Sequence, residues 1–235
     1  MEAGCGDPSS FVGGARALLC PFPSSTLTQV LLNLLAGNER VLEGVSTHPH
    51  QDLRRVQQVS EQQRPLAAIL GCADSRAPAE IIFDQGFGDV FVCRVAGNIA
   101  TPEELASLEY AVLELGVRVV MVLGHTNCGA VKAALSGKAF PGFIDTLVEH
   151  LDVAIARAET GQLRLEAHEA VKNGDEAMLD RVVTENVRYQ VQRCKRSVLI
   201  REALQERRLL LVGAVYHLDT GRVKVIITED GSPKE

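Results

Sequence analysis

Two short segments of the chain, residues 71–76 and 124–129, hold side chains of the kind that bind zinc. The first contains Cys72, and the second contains His125 and Cys128 in a His-x-x-Cys pattern. Zinc prefers thiolate and imidazole ligands, and a catalytic zinc site uses three protein ligands so that a fourth position stays open. One cysteine from the first segment and the His-x-x-Cys pair from the second supply that number. The pattern therefore predicts a site for Zn²⁺.

Each half of this pattern is weak when taken alone, since a single cysteine after a strand is usually a small buried hydrophobic residue. An acid and a base, Asp74 and Arg76, follow Cys72 closely. Neither would be placed in a buried loop without a partner, because an unpaired buried charge is costly. The local sequence is equally compatible with a salt bridge that only stabilises the loop, and that alternative stays open here.

Short apolar runs predict the buried β-strands that position these segments: residues 66–70, 89–95, 117–123, 209–216 and 223–228. A turn at residues 219–221 joins the last two runs as a hairpin. We predict an α/β fold with a mostly parallel central sheet, about four parallel strands plus an antiparallel edge strand, flanked by helices. Both zinc-binding segments follow predicted parallel strands, so the zinc site is expected at the C-terminal strand ends, where open α/β sheets bind ligands.

Helical spacing of apolar residues fills most of the chain between and around these strands. The predicted helices cover residues 26–44, 52–62, 101–116, 129–135, 144–159 and 175–206. The third has the clearest start, where Thr101 precedes a proline and two glutamates. Strands that alternate with helices in this way are typical of βαβ units.

Length and charge limit the possible functions. The 235 residues suffice for one domain, and we predict a single catalytic domain over residues 26–235 after a poorly structured lead-in at residues 1–25. The formal net charge of −6, without a basic stripe, argues against a nucleic-acid partner. No apolar run approaches the roughly 18 residues that span a bilayer, so no membrane partner is expected.

The chain has six cysteines, an even number that is compatible with disulfides. Because the chain is long, has a core and shows no secretion signal, we expect free thiols instead, some of them binding metal. The expected location is cytoplasmic, with a microcompartment or an organelle left open. Cys-x-x-Cys is absent from the sequence, which counts against a thiol redox protein.

The sequences Cys-Ala-Asp-Ser-Arg at residues 72–76 and His-Thr-Asn-Cys-Gly at residues 125–129 resemble the paired motifs of the β-class carbonic anhydrase family. The resemblance extends from residues 31–38 through residues 109–112 to the hairpin at residues 215–221, nearly the whole chain after the lead-in. It implies an enzyme that reversibly hydrates carbon dioxide to bicarbonate and a proton through zinc-bound hydroxide.

For the metal, the resemblance implies that Cys72, His125 and Cys128 are the ligands. It also implies that Asp74 and Arg76 form a dyad, in which the guanidinium holds the carboxylate away from the metal. Asp74 then accepts a hydrogen bond from the zinc-bound hydroxide and orients it. Without that pairing, Asp74 would occupy the fourth coordination position and close the site.

For the substrate, the resemblance implies that the amide of Gln63 binds an oxygen atom and that Phe91 and Tyr110 line the carbon dioxide pocket. In the family these groups come from a neighbouring subunit, so a homodimer or higher even oligomer with shared active sites is expected. An exposed glutamine, a core phenylalanine and a core tyrosine would give the same sequence. Gly129 is expected to let the backbone approach the metal loop, where its N–H can meet an anion.

Two departures from the family pattern bear on these expectations. Ile69 stands where members inhibited by bicarbonate carry tryptophan, which favours the open form of the site. Val95 replaces an asparagine that is common in the loop at residues 94–98, so the hydrogen bonds of that loop are expected to differ.

Two other functions are compatible with the same ligands. Members of the family also hydrolyse carbonyl sulfide or carbon disulfide, and the sequence does not distinguish these substrates. A zinc-stabilised scaffold protein without turnover is the third reading. Asp74, Arg76 and Gln63 argue against it, because a structural zinc site does not need an acid, a base and an amide around an open position.

Overall fold

The computed structural model of the protein describes residues 26–158, 169 and 173–231, so the predicted lead-in at residues 1–25 lies outside it. The helices are α1 (Leu27–Leu42), α2 (Leu53–Gln58), α3 (Ala79–Ile82), α4 (Pro102–Leu113), α5 (Gly129–Leu135), α6 (Ile144–Ala158), α7 (Glu176–Cys194) and α8 (Val198–Gln205). A 3-10 turn spans Ala96–Asn98. The strands are β1 (Ala67–Gly71), β2 (Val90–Arg94), β3 (Val119–His125), β4 (Leu210–Tyr216) and β5 (Val223–Glu229).

These strands form one sheet in the order β2-β1-β3-β4-β5. β1 runs parallel to both β2 and β3, and β3 runs parallel to β4. β5 pairs with β4 in the antiparallel direction at one edge. The predicted α/β fold, with four parallel strands and an antiparallel edge strand flanked by helices, is confirmed.

Apolar side chains cover both faces of the sheet, as the continuous apolar runs of buried parallel strands require. On one face, Leu70 of β1 belongs to a buried cluster formed with α4, α6 and α7, and this cluster includes Cys72 and Cys128. On the other face, Ile69 packs in a second cluster with residues of α1 and α3. Successive side chains of a strand point to opposite faces, so Ile69 and Cys72 lie on opposite sides of the sheet.

Parallel pairing of β1 and β3 brings the two segments predicted to bind zinc together. Gly71, the last residue of β1, pairs with Leu123 of β3, and Cys72 and His125 follow that pair on neighbouring strands. The backbone N–H of Thr126 donates to the carbonyl oxygen of Tyr216 at 2.9 Å, which ties the second segment to β4. The three potential metal ligands therefore lie at the C-terminal edge of the sheet, as predicted.

The helical stretch predicted over residues 175–206 is interrupted once, because the chain forms two helices there. α7 ends at Cys194, and Ser197 starts α8 as its N-cap, with the hydroxyl accepting the Ile200 N–H at 3.2 Å. A serine that caps a helix supplies an acceptor for an N–H group that a new helix leaves unpaired. The helix predicted over residues 52–62 is also shorter than expected and ends at Gln58.

The described helices combine apolar and charged residues. The longest, α7, has 19 residues and includes Asp180, Arg181, Glu185 and Arg188. Within the part of the chain that the structure describes, no helix is long and apolar enough to cross a membrane.

Candidate metal centre

The loop after β1 and the end of β3 together place Cys72, His125 and Cys128 in one buried group. Their ligand atoms, two sulfurs and an imidazole nitrogen, all lie within 4.8 Å of one another. The three residues are 4%, 1% and 2% exposed. Two parallel strands of a single sheet thus deliver the ligand types that the sequence pattern assigned to zinc.

Hydrogen bonds fix the orientation of the His125 ring. Nδ1 lies 2.9 Å from the carbonyl oxygen of Thr126, so a proton on Nδ1 donates to that acceptor. The Thr126 hydroxyl in turn accepts the N–H of Leu218 at 3.0 Å, which holds this loop against the hairpin between β4 and β5. The other ring nitrogen, Nε2, is buried and has no hydrogen-bond partner among the described residues. A histidine whose second nitrogen is anchored in this way has Nε2 free to bind a metal.

The pKa values of the two thiols of the group shift in opposite directions. The pKa of Cys72 is lowered to about 4, mainly by a hydrogen bond from Cys128. The His125 ring and the N–H groups of Asp74 and Gly97 lower it further, whereas burial acts in the opposite direction and raises it. The pKa of Cys128 is raised, because its proton is held by Cys72 and because it is buried. Cys72 is therefore the more acidic of the two thiols, and a divalent cation bound by both sulfurs requires the proton of Cys128 to be released as well.

The group fits a tetrahedral metal in size and chemistry. Zn–S bonds of about 2.3 Å and a Zn–N bond of about 2.0 Å separate tetrahedral ligand atoms by about 3.5–3.8 Å. Ligand atoms already within 4.8 Å of one another need only small movements to reach that spacing. Soft sulfur donors with an imidazole favour zinc over magnesium or calcium, which prefer oxygen.

Asp74 and Arg76 form an ion pair beside this group. Arg76 donates from Nε to Oδ1 at 3.0 Å and from Nη2 to Oδ2 at 2.8 Å. These hydrogen bonds are the main cause that holds the pKa of Asp74 well below its usual range. Oδ2 of Asp74 also lies 3.8 Å from His125 Nε2, so the carboxylate faces the candidate metal ligands while it is held by the guanidinium.

Arg94 is a residue at this site to which sequence reasoning gave no role. It ends β2, and its side chain crosses to the loop after β1, where Nε donates to the carbonyl oxygen of Cys72 at 2.9 Å and Nη2 to that of Asp74 at 2.5 Å. It thus fixes the backbone on both sides of Ala73. The sequence shows only that Arg94 is a basic residue near the end of a predicted strand. Which backbone atoms its side chain reaches depends on which strands are neighbours in the sheet.

Three of the predicted substrate residues lie apart from the metal ligands. Gln63 is exposed in the segment between α2 and β1. Phe91 is half-buried in the edge strand β2, and Tyr110, on α4, is 49% exposed. The structure brings these two rings together, with centroids 6.4 Å apart and planes tilted by 41°. Tyr110 is too exposed to be a core residue, whereas Phe91 packs against the buried cluster that contains Cys72, so a core phenylalanine remains compatible with the structure.

Gly129 directly follows Cys128 and is the first residue of α5. It is exposed, and a Cβ atom placed there would meet no described atom within 4 Å. A side chain at this position would therefore meet no close neighbour within the described chain, and the role expected for Gly129 at the metal loop stays a prediction. The space beside Cys128 is open.

Comparison with known proteins identifies relatives along most of the chain. The family model described as carbonic anhydrase matches residues 67–223. A carbonic anhydrase of Mycolicibacterium smegmatis is 38% identical over 208 residues, which cover 86% of this chain and 95% of the relative. Carbonic anhydrase 2 of Mycobacterium tuberculosis is 40% identical over 195 residues, which cover 80% of this chain and 87% of the relative.

Solved structures with a similar fold give the same result. A tetrameric β-carbonic anhydrase of Sordaria macrospora superposes with a TM-score of 0.64 at 26% identity, covering 86% of this chain and 98% of its own. The Coccomyxa β-carbonic anhydrase, solved in complex with acetazolamide, superposes with a TM-score of 0.63 at 26% identity, covering 88% of this chain and 90% of its own. The family model, starting at residue 67, includes Cys72, His125 and Cys128, whereas Gln63 precedes it.

Proposed function

Because the chain belongs to the β-class carbonic anhydrase family of enzymes, we propose that it catalyses the reversible hydration of carbon dioxide to bicarbonate and a proton, with Zn²⁺ as its cofactor. One observation carries the proposal: Cys72, His125 and Cys128 form a buried group with ligand atoms within 4.8 Å of one another. The cytoplasmic location expected from the sequence stays a prediction.

The proposed metal ligands are the sulfurs of Cys72 and Cys128 and Nε2 of His125. When bound, zinc supplies a Lewis acid that turns water into a nucleophile near neutral pH. The two thiolates offset the charge of the ion and donate more electron density than imidazoles do. We therefore expect activity to favour mildly alkaline pH.

Asp74 is proposed to orient the attacking water. Its carboxylate faces the ligand group, with Oδ2 at 3.8 Å from His125 Nε2, and its low pKa keeps it ionised. An ionised carboxylate accepts hydrogen bonds and cannot donate them. A water that donates one hydrogen to Asp74 has its lone pair directed away from the carboxylate and towards the substrate.

Arg76 is proposed to keep Asp74 in that role. A carboxylate so close to a metal would otherwise compete with water for the fourth coordination position. The two parallel N–H donors of Arg76 engage both carboxylate oxygens and leave lone pairs free for a hydrogen bond. We propose that the enzyme rests in this open form.

The remaining substrate residues are proposed to act across an interface between subunits, in a homodimer or higher even oligomer. Gln63 is exposed and Tyr110 is half-exposed, and Phe91 lies on the edge strand of the sheet. Side chains that complete a partner's site must reach the surface of their own chain, and these do. The Sordaria macrospora relatives are tetrameric, which agrees with the proposal. The open space at Gly129 is proposed to admit the substrate.

Zinc content and stopped-flow carbon dioxide hydration, measured on one preparation, test this function. We expect one zinc per chain and turnover in the wild type, and loss of both in Cys128→Ala, because two ligands do not hold zinc stably. Cys93→Ala is the matched control, since Cys93 is a half-buried cysteine of β2 outside the ligand group.

The proposal fails if the wild type contains no stoichiometric zinc, or if Cys128→Ala keeps both its zinc and full turnover. Assays of carbonyl sulfide and carbon disulfide hydrolysis on the same preparation address the alternative substrates. Hydrolysis of either compound without hydration of carbon dioxide would contradict the proposed reaction and leave the ligand set standing.

A further inference from the structure

One face of helix α7 carries buried amide side chains. Asn186 and Gln190 are one helical turn apart, and they are 1% and 2% exposed. Gln190 Nε2 donates to Asn186 Oδ1 at 2.8 Å, which fixes the orientation of the Asn186 amide. With its oxygen engaged in this way, Asn186 donates from Nδ2 to the carbonyl oxygen of Gly97 at 2.8 Å.

Gly97 connects this amide pair to a proposed metal ligand. Its N–H donates to the sulfur of Cys72 at 3.3 Å. Gly97 has φ +77°, a conformation that glycine adopts freely and other residues adopt rarely, and a Cβ atom there would lie 3.2 Å from Leu151. The N–H and the carbonyl of one residue are separated by only two rotatable bonds. A fixed carbonyl therefore restricts the direction in which the N–H points.

The same helix face holds the far end of this loop. Gln190 Oε1 accepts the N–H of Ala100 at 2.9 Å, and Arg193 Nη2 donates to the carbonyl oxygen of Ala100 at 2.9 Å. The buried neighbours Val187 and Val191 are apolar. A buried amide side chain is costly unless it is hydrogen-bonded. The amides of Asn186 and Gln190 therefore need polar partners among these valines, and the backbone of the loop provides them.

We propose that Asn186, braced by Gln190, is a positioning residue of the metal centre that directs the Gly97 N–H onto the sulfur of Cys72. This inference rests on the proposed function, because it takes Cys72 as a metal ligand. A hydrogen bond to a ligand thiolate withdraws electron density that the sulfur would otherwise donate to the metal, and it fixes the direction of the sulfur. Without the bond, the sulfur becomes a stronger and less well placed donor.

Cobalt(II) in place of zinc gives a readout that does not depend on turnover. The thiolate-to-cobalt charge-transfer band in the near ultraviolet shifts to longer wavelength when the sulfur becomes a stronger donor. Asn186→Leu keeps the approximate size of the side chain but removes the donor to Gly97. We expect this variant to shift the band to longer wavelength. Its zinc affinity, measured by competition with a chromophoric chelator, is expected to fall about tenfold.

Two further variants make the result specific. Asn186→Asp keeps the shape and the acceptor for Gln190 but lacks the amide donor, and we expect the same spectral shift if Asn186→Leu does not fold. Arg193→Met is the matched control, because Arg193 holds the same loop from the same helix at Ala100 and not at Gly97. We expect its cobalt band to stay at the wild-type wavelength.

The proposal is overturned if both Asn186 variants show the wild-type band, or if Arg193→Met shifts it equally, since α7 would then only hold the loop in place. A wild-type protein without a thiolate-to-cobalt band would instead contradict the assignment of Cys72 as a ligand. That result would remove the proposed function along with this inference. The two failures are thus distinguishable.

Discussion

Arg76 engages both carboxylate oxygens of Asp74, at 3.0 Å from Nε and 2.8 Å from Nη2, and its backbone N–H adds a third contact to Oδ1 at 2.9 Å. Nη2 also lies 3.4 Å from the carbonyl oxygen of Asn127, so the guanidinium bridges the loops that carry the two proposed cysteine ligands. The ion pair is therefore more than a contact within one turn. It links Asp74, which lies two residues after the proposed ligand Cys72, to the loop that holds the proposed ligand Cys128.

Arg76→Ala is expected to release Asp74, which would then compete with water for the metal. Turnover should fall by orders of magnitude while zinc is retained, because none of the three ligands changes. Arg76→Lys should be impaired nearly as badly, since the charge survives but the pair of parallel N–H donors does not. Stopped-flow carbon dioxide hydration and zinc content of both variants measure this.

Arg208→Lys is the matched control for these variants. Arg208 also pairs with a carboxylate two residues earlier, Glu206, at 2.6 Å, but on the surface and outside the site. It should turn over like the wild type. Normal turnover of Arg76→Lys, or a crystal structure at pH 8 with Asp74 bound to zinc in the wild type, would mean that the ion pair only stabilises the loop.

The active species is predicted to be a homodimer or a higher even oligomer, because Gln63, Phe91 and Tyr110 are expected to complete a partner's site. Sedimentation velocity at the concentration of the assay measures the oligomeric state of the active enzyme. A monomer that hydrates carbon dioxide at full rate would contradict this prediction.

Tyr110→Ala should lower turnover while zinc content is unchanged, since the ring is expected to line a neighbour's substrate pocket. Phe143→Ala is the control for loss of an exposed aromatic side chain, because Phe143 is 90% exposed. Steady-state kinetics and zinc content of both variants give the comparison. Equal rates for Tyr110→Ala and the wild type would remove Tyr110 from the pocket.

The sheet and the meeting of the candidate ligands were predictable from the sequence because both follow from local patterns. Five apolar runs became strands, with bounds that differ from those predicted by at most two residues. Ligands that follow parallel strands converge by geometry, so placing Cys72 and His125 together required only the correct pairing of β1 with β3. The break at Ser197 was missed because no glycine or proline marks it.

Residues that act through tertiary contacts were beyond the reach of these patterns. Arg94 reaches the loop of another strand, which requires knowing that β2 lies beside β1. Asn186 and Gln190 have the spacing of an exposed polar stripe, and nothing local shows that the loop after β2 covers them. Their polar partners are backbone atoms about 90 residues away in sequence, which no spacing rule connects.

Gly129→Ala is expected to separate catalysis from stability. A Cβ atom there meets no described atom within 4 Å, and alanine favours a helix more than glycine does, so the melting temperature should stay the same or rise slightly. The methyl group enters the open space beside Cys128, where the substrate is expected, so turnover should fall with zinc retained. Thermal unfolding and steady-state kinetics provide the two measurements. Unchanged kinetics would exclude Gly129 from the pocket.

The carboxylate of Asp84 is buried and links two loops. It accepts Arg40 Nε at 2.6 Å, the N–H and hydroxyl of Thr47 at 3.0 Å each, and the N–H of His48 at 2.9 Å. Burial alone would raise the pKa of Asp84, but these hydrogen bonds outweigh it and hold the pKa below its usual range. The carboxylate is therefore favoured in the folded state.

This shift predicts a loss of stability in acid. The contribution of Asp84 is fully present above the pKa of about 4 that it has in the unfolded chain, and it decreases as the pH falls towards the lower folded value. Asp84→Asn should lower the free energy of unfolding by about 3 kcal/mol at pH 7, because an amide leaves some of these donors unpaired. Asparagine tolerates the φ of 49° at this position, so backbone strain does not add to the effect.

Urea denaturation of the metal-free protein between pH 7 and pH 3 measures this effect. The difference in free energy of unfolding between Asp84→Asn and the wild type should narrow below about pH 4. Glu202→Gln, an exposed acid of α8, is the control, and a difference for Asp84→Asn that stays constant across this range would contradict the prediction.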